Sequence, residues 1–186
     1  MNNSNESGRN LTLLTDFYQL TMMNGYLRSG IHNEKATFDL FFRQKGQINY
    51  AVAAGLQQAI EYIQNLRFTD DDIKYLEGLN TFTRDFLDYL KNLRFTGDIY
   101  SVREGEIVFP MEPIMIVRAP LIEAQLIETF LLLTINHQTL IATKANRIVR
   151  AAQGRTVLEF GSRRAQGATG AVDGARAAYI GGCAGT

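Results

Sequence analysis

Apolar residues recur at helical spacing near the start of the chain. Tyr18, Met22 and Tyr26 lie four residues apart and therefore share one stripe of a helix. We predict this helix over residues 15–29, because a threonine followed by an acid suits its start and a glycine at position 30 suits its end. The polar residues 1–10 are predicted to be disordered, since they offer too little apolar area to offset the entropy of ordering.

Strand patterns and further helices follow. Alternation of apolar and polar residues predicts strands over residues 36–42 and 50–54. Residues 98–118 fit three short strands separated by glycine and proline. Helical spacing and capping residues predict three more helices, which begin after Gly55, Thr69 and Thr83.

A long helical pattern covers residues 121–153. It is apolar on most faces up to Ile135 and amphipathic afterwards. At about 1.5 Å per residue, one straight helix of this length would extend roughly 50 Å. Asn136 and His137 are the place where it could break, so we predict two helices or one bent helix.

The last stretch of the sequence is rich in glycine. Residues 156–160 read as a short buried strand, and residues 151–186 hold eight of the sixteen glycines. A strand-then-helix pattern that has only begun cannot close a sheet or a barrel, so we expect this chain to be part of a longer enzyme. The predicted domains are an α+β domain over 11–120 and, over 121–186, a helical linker with the first strand and helix of a barrel.

Composition narrows the class of protein. Of 186 residues, 46% are apolar and 20% charged, with 19 basic and 19 acidic side chains. This balance gives no bulk electrostatic reason to bind nucleic acid or an acidic membrane. The longest apolar stretch, 130–135, is far shorter than the ~18 residues of a membrane-spanning helix. The single cysteine and the polar start without signal-peptide features indicate a soluble, cytoplasmic protein.

Two arginines follow the predicted strand at 156–160. Arg163 and Arg164 would lie at its carboxyl end, which faces the ligand crevice in α/β folds, and guanidinium groups suit a carboxylate or phosphate. We therefore predict an anionic substrate there. The alternative is that either arginine pairs with Glu159 or Asp173 on a solvated loop.

The first predicted helix offers a carboxylate and an aromatic ring close together, at Asp16 and Tyr18. They could contact a ligand, or they could be a helix-capping acid and a core tyrosine. His32, His137 and Cys183 have no partner at the spacing of a metal site or a nucleophilic pair, so we predict structural roles for them. No zinc, P-loop or dinucleotide-binding pattern is present.

Five segments, in the same order, resemble nicotinate phosphoribosyltransferases. The first and fourth are the most specific. The segments are residues 14–22 (LTDFYQLTM), 96–100 (TGDIY), 135–139 (INHQT), 159–167 (EFGSRRAQG) and 174–182 (GARAAYIGG).

The resemblance implies a fold, a reaction and an assembly. The fold is α/β: an α+β N-terminal domain followed by an irregular α/β barrel, near whose start this chain stops. The reaction transfers phosphoribosyl from phosphoribosyl pyrophosphate to nicotinate, with Mg²⁺ and with ATP hydrolysis through a phosphorylated histidine. The assembly is a homodimer, in which the segment around residues 16–18 enters the partner's active site.

The resemblance also implies roles for particular residues. Asp16 and Arg163 would be catalytic, with Asp16 orienting the ring. Tyr18 and Phe160 would sandwich the pyridine, and Arg163 with Arg164 would bind the anionic groups. No residue of this chain is assigned to a metal.

Two departures from the family pattern bear on activity. The phosphorylated histidine matches neither His32 nor His137 and would lie after residue 186, so we predict that this chain alone is inactive. Residues 167–173 also differ from the Gly-Pro-Asp expected after Ala-Gln, which affects the local loop. The alternative function is a catalytically inert anion-binding or partner module that retains half of the site.

Overall fold

A computed structural model describes residues 10–43, 46 and 49–185 of the chain. Their contacts divide the chain into two compact units, each built from three separate stretches. Unit 1 comprises Met1–Thr37, Ile60–Asp98 and Val117–Phe130, and unit 2 comprises Phe38–Ala59, Ile99–Ile116 and Leu131–Thr186. The domain boundary predicted at residue 120 stays a prediction. Of the residues predicted to be disordered, 1–9 lie outside the described part.

The described residues contain six α-helices, five strands and one short 3₁₀ helix. The helices are α1 (Phe17–Arg28), α2 (Leu56–Gln64), α3 (Asp70–Gly78), α4 (Arg84–Asn92), α5 (Leu121–Ala151) and α6 (Gly167–Ile180). The strands are β1 (Lys35–Phe41), β2 (Ala51–Val52), β3 (Asp98–Ser101), β4 (Ile107–Val108) and β5 (Pro113–Pro120), and the 3₁₀ helix is Ser162–Arg164. Helices and small sheets confirm the predicted α/β class, and the described residues form no closed barrel.

Local capping explains the helix starts of unit 1. The Thr69 side chain accepts a hydrogen bond from the Asp72 N–H at 3.2 Å, and the Asp72 carboxylate accepts one from the Thr69 N–H at 2.8 Å. Thr83 accepts from the Phe86 N–H at 3.4 Å at the start of α4. These bonds satisfy N–H groups that a helix start otherwise leaves free, so both predicted starts are confirmed.

The strands form two small sheets. The three-stranded sheet has the order β1-β5-β3, and β2 pairs antiparallel with β4, with Ala51 opposite Val108. The strand predicted over 50–54 is shorter than expected. Ala54 leaves the ladder because its N–H donates instead to the Thr139 hydroxyl oxygen at 3.2 Å.

Helix α5 is one element of 31 residues, about 46 Å long at 1.5 Å per residue. The predicted alternative of two helices separated at Asn136 and His137 is therefore wrong. Buried side chains on both sides, such as Ile135 and Gln138, hold the helix through the two polar residues, because packing contributes more to a helix than local propensity does. Gln153 and Gly154, with φ of 50° and 85°, follow its end.

The strand predicted over 156–160 is also wrong. Leu158 forms an isolated parallel bridge with Gly185, flanked by hydrogen bonds from Ala184 N–H to the Val157 carbonyl and from Glu159 N–H to the Gly185 carbonyl, both 2.9 Å. A strand needs a ladder of repeated pairs, and the described residues supply only this single step opposite it.

Each unit has its own buried residues. In unit 1, Tyr62 stacks on Phe130 with ring centroids 3.9 Å apart. In unit 2, a cluster of small side chains packs the helices closely together, comprising Val52, Ala54, Ala142 and Ala177. Among the residues that the structure describes, no helix is both long and apolar enough to cross a membrane.

Candidate active site

Asp16 and Tyr18 lie at the exposed start of α1. Asp16 is itself the N-cap residue, with extended backbone angles (φ −72°, ψ 139°), so the helix begins two residues later than predicted. Tyr18 is 51% exposed, and the alternative that it is a core tyrosine is therefore wrong. Both side chains are open to a ligand within unit 1.

Nearby carboxylates shift the pKa of Tyr18. The negative charge of Glu128 raises its pKa above the ordinary value of 10.0, and partial desolvation and the charge of Asp16 raise it further. The neutral phenol, which is the ordinary state of tyrosine at neutral pH, can stack its ring on a ligand and donate a hydrogen bond from its hydroxyl.

A buried polar side chain lies beneath these two residues. Gln19 is fully buried, and its Nε2 donates to Glu128 Oε2 at 3.0 Å. Its Oε1 accepts from Thr129 Oγ1 at 2.7 Å and from the Asp16 N–H at 3.3 Å. Gln19 could not be singled out from the sequence, because its partners on α5 are more than 100 residues away.

Phe160, Arg163 and Arg164 lie together in unit 2. The Phe160 ring is 65% exposed, and both arginines lie on the exposed 3₁₀ helix rather than at the end of a strand. The ion pairs found between described residues include neither arginine. The Glu159 carboxylate accepts a hydrogen bond from the Gly161 N–H. The segment therefore offers two guanidinium groups and an aromatic face to solvent.

A second network holds the helix that follows this segment. Arg176 of α6 donates from Nη1 to Glu104 Oε1 at 2.8 Å and to Gln138 Oε1 at 3.1 Å. Glu104 also accepts from the N–H groups of Gly55 and Leu56, at 2.7 and 3.0 Å. The pKa of Glu104 lies below its ordinary value, mainly because its carboxylate accepts the hydrogen bond from Arg176. Arg176 was not singled out from the sequence, since its partner Glu104 lies 72 residues earlier.

The structure gives the surroundings of His32, His137 and Cys183, and the structural roles predicted for them stay predictions. His32 packs edge-to-face on Tyr89, with centroids 5.4 Å apart. Burial, with the charge of Glu159, raises the pKa of the Cys183 thiol, which disfavours the reactive thiolate. His137 Nε2 is buried without a hydrogen-bond partner among the described residues. Residues 167–173, where the family pattern is broken, form the first turns of α6.

Unit 2 also contains a cavity of about 900 Å³. Strand β1 and helix α5 line it with apolar side chains such as Leu132 and Leu140. The basic residues Lys144 and Arg147 of α5 also line it. None of the five predicted site residues lines this cavity. Across the described ranges, no group of three or more histidine, cysteine, aspartate or glutamate side chains could hold a metal ion.

The two groups of site residues belong to different units. Asp16 and Tyr18 are in unit 1, and Phe160, Arg163 and Arg164 are in unit 2. The structure thus gives the local geometry of each group, and their joint role stays a prediction.

Solved structures share this fold. Human nicotinic acid phosphoribosyltransferase matches with a TM-score of 0.83 and 34% identity, over 91% of this chain and 35% of the human one. A nicotinate-nucleotide pyrophosphorylase from Pyrococcus furiosus matches with a TM-score of 0.71 at 24% identity, which indicates a shared fold alone. The chain therefore shares the fold of the matched part of these two proteins.

Sequence comparisons identify the family. The model for the nicotinate phosphoribosyltransferase N-terminal domain matches residues 13–136. The nicotinate phosphoribosyltransferase of Bacillus subtilis is 58% identical over 177 residues, covering 95% of this chain and 36% of the relative. One from Mycobacterium tuberculosis is 44% identical, covering 94% and 38%. The chain belongs to the nicotinate phosphoribosyltransferase family, and it spans little more than a third of the length of these relatives.

Proposed function

We propose that this chain is the N-terminal part of a nicotinate phosphoribosyltransferase. The complete enzyme would transfer phosphoribosyl from phosphoribosyl pyrophosphate to nicotinate, forming nicotinate mononucleotide and pyrophosphate for NAD biosynthesis. The observation that best supports this reaction is the exposed segment 160–164, which carries an aromatic ring and two guanidinium groups that belong to none of the ion pairs found between described residues. A planar anion such as nicotinate needs these two features.

The proposed chemistry rests on binding and charge. Breaking the bond between ribose C1 and pyrophosphate builds positive charge on the sugar and negative charge on the leaving group, so preorganised cations accelerate the step. Arg163 and Arg164 would donate hydrogen bonds to substrate anions. Phe160 and Tyr18 would stack on the pyridine, and the Asp16 carboxylate would orient it.

Mg²⁺, ATP and the homodimer are proposals that rest on the resemblance. The described residues offer no cluster of metal ligands, so we assign none of them to a metal. Mg²⁺ commonly binds through substrate phosphates with few protein ligands, and pyrophosphate oxygens are where we expect it. We derive no step through the metal or through ATP. The predicted cytoplasmic location likewise stays a prediction.

The test is to sequence the gene beyond codon 186, express the complete product and assay nicotinate mononucleotide with and without ATP. Product formation from nicotinate is expected, with less from nicotinamide. A complete product that binds nicotinate without turnover would refute the enzyme and favour the inert binding module. The 186-residue chain alone is expected to make no product.

Tyr18→Ala tests the stacking role in the complete protein. Loss of a stacked ring should raise the KM for nicotinate about tenfold while changing the KM for phosphoribosyl pyrophosphate little. Tyr75→Ala is the matched control, because Tyr75 is 61% exposed on α3 and lies outside both residue groups. Equal effects of Tyr18→Ala on both KM values would contradict the role and indicate a folding defect.

A further inference from the structure

We propose that Gln19 is a positioning residue for the nicotinate site. Its buried amide connects the Asp16–Tyr18 segment to Glu128 and Thr129 of α5 and so fixes the direction in which both side chains meet the substrate. This inference rests on the proposed function and adds to it a residue that does not itself touch the ligand.

The orientation of the Gln19 amide follows from its partners. An ionised carboxylate only accepts hydrogen bonds, so the group that faces Glu128 Oε2 at 3.0 Å must be the amide nitrogen. The amide oxygen then faces the donors on the other side, which are Thr129 Oγ1 at 2.7 Å, the Asp16 N–H at 3.3 Å and the Thr15 hydroxyl. Every polar atom of this fully buried side chain is satisfied in one arrangement.

The network acts on Asp16 through two of its groups. The Asp16 N–H lies 3.3 Å from Gln19 Oε1 and 3.4 Å from Thr129 Oγ1. The Asp16 carboxylate oxygen Oδ2 is also 3.4 Å from Thr129 Oγ1. Because the backbone amide and the carboxylate face the same threonine, movement of Gln19 or Thr129 would turn the exposed carboxylate of the N-cap.

Tyr18 is held by the same arrangement. It follows Asp16 in the first turn of α1, so its Cα–Cβ direction is set by the backbone that Gln19 fixes. Glu128 accepts the Gln19 hydrogen bond and is also the main charge that acts on the Tyr18 phenol. Gln125 donates from Nε2 to the same Glu128 oxygen at 3.0 Å and so restrains the carboxylate from a second side.

The pattern of bonds favours positioning over simple burial. A buried glutamine that only needed hydrogen-bond partners for its own amide could find them on backbone groups within its own helix. Gln19 caps α1 as the N3 residue that accepts from the Asp16 N–H, and beyond this capping bond its nitrogen donates to Glu128 and its oxygen accepts from Thr129 on a different helix. The bonds thus converge on the short segment that carries the exposed Asp16 and Tyr18.

The test exchanges donor and acceptor in the complete protein. Gln19→Glu places a second carboxylate against Glu128, and we expect the KM for nicotinate to rise about tenfold or more while that for phosphoribosyl pyrophosphate stays within about twofold. The double variant Q19E/E128Q restores complementarity, because the new glutamine can donate to the new carboxylate once the Gln125 amide turns its oxygen toward residue 128 and its nitrogen toward the Tyr26 hydroxyl oxygen. It should return the KM for nicotinate to within about threefold of wild type.

Thr129→Val keeps the proposal testable if Gln19→Glu does not fold. It removes one hydroxyl at nearly constant shape, and we expect a threefold to tenfold rise in the KM for nicotinate, roughly the value of one lost hydrogen bond. Leu20→Ala is the matched control: the side chain is buried on the same helix and has no polar group, so it lowers stability without breaking this network.

The outcomes separate this inference from the proposed function. A wild-type protein that makes no nicotinate mononucleotide refutes the function and, with it, the positioning role. An active wild type whose Gln19→Glu and Thr129→Val variants change neither KM, or change both equally, refutes the positioning role alone. The same selective rise in Leu20→Ala, or no recovery in the double variant, would also overturn it.

Discussion

Replacing Arg176 by methionine tests how much the hydrogen bonds between Arg176 and its partners in unit 2 contribute to the free energy of unfolding. The guanidinium donates to three side chains, at 2.8 Å to Glu104, 3.1 Å to Gln138 and 3.0 Å to Gln57. Methionine preserves most of the chain length but removes every donor. Glu104 then keeps only its two backbone hydrogen bonds, to Gly55 and Leu56.

The burial of the Arg176–Glu104 ion pair determines how much free energy of unfolding its loss should cost. The side chains of Arg176 and Glu104 are 26% and 21% exposed. Breaking a fully buried ion pair destabilises a protein by about 3–5 kcal/mol, whereas an exposed pair contributes about 0–1 kcal/mol. Because this pair is largely buried and Glu104 keeps two other partners, we expect Arg176→Met to lower the free energy of unfolding by about 2–3 kcal/mol at pH 7.

The pH dependence gives an independent check. The pKa of Glu104 is lowered in the folded state, so the unfolded chain binds this proton more readily. The stabilisation from the pair is therefore complete above the ordinary pKa of 4.5 and disappears as the pH falls through the lower folded value. The difference in stability between wild type and Arg176→Met should shrink steadily below about pH 4.

Urea unfolding followed by circular dichroism, at pH 7 and in steps down to pH 3, measures both effects. Arg150→Met is the control, because Arg150 is an exposed residue in the last turn of α5 and should change stability by no more than about 0.5 kcal/mol. The reasoning is refuted if Arg176→Met is as stable as Arg150→Met at pH 7. It is equally refuted if the deficit does not diminish in acid.

Two further predictions concern the site and the packing. In the complete protein, Arg163→Ala should lower kcat/KM by an amount that corresponds to about 1.5–3 kcal/mol of lost transition-state stabilisation, while the melting temperature stays unchanged. Steady-state kinetics equal to those of the wild type would exclude its role. Gly181→Ala should destabilise by about 1–3 kcal/mol, because the added Cβ would lie 2.5 Å from the Ala142 carbonyl oxygen. Gly25→Ala, with nothing within 4 Å of its Cβ, should leave the urea midpoint unchanged or higher, and an equal loss in both would contradict the steric argument.

Local signals in the sequence predicted much of the fold. Thr69 and Thr83 marked the starts of α3 and α4 because a capping residue and its partners lie within four positions of each other. The start of α1 was placed at Thr15, one residue before the true N-cap Asp16, since either side chain can cap. Such errors at helix ends are small because several neighbouring residues compete for one role.

Features that depend on distant partners could not be predicted in this way. The residues 156–160 have the composition of a strand, but whether they form one depends on a neighbour that supplies a ladder. Gln19 and Arg176 read as ordinary polar helix residues, and only the fold reveals their partners 109 and 72 positions away. Family resemblance named Tyr18 and Arg163, whereas the side chains that hold their segments had to be found from geometry.

The division into two units has a consequence for how the protein is made. Each unit uses three stretches that alternate along the chain, so translation completes neither unit before the other has begun. Unit 1 has all its stretches once Phe130 has left the ribosome, while unit 2 must wait for the stretch that begins at Leu131. Once the residues up to Phe130 have emerged, a nascent chain therefore has every stretch of unit 1 while unit 2 still lacks its last stretch. No single cut in the gene yields both units intact.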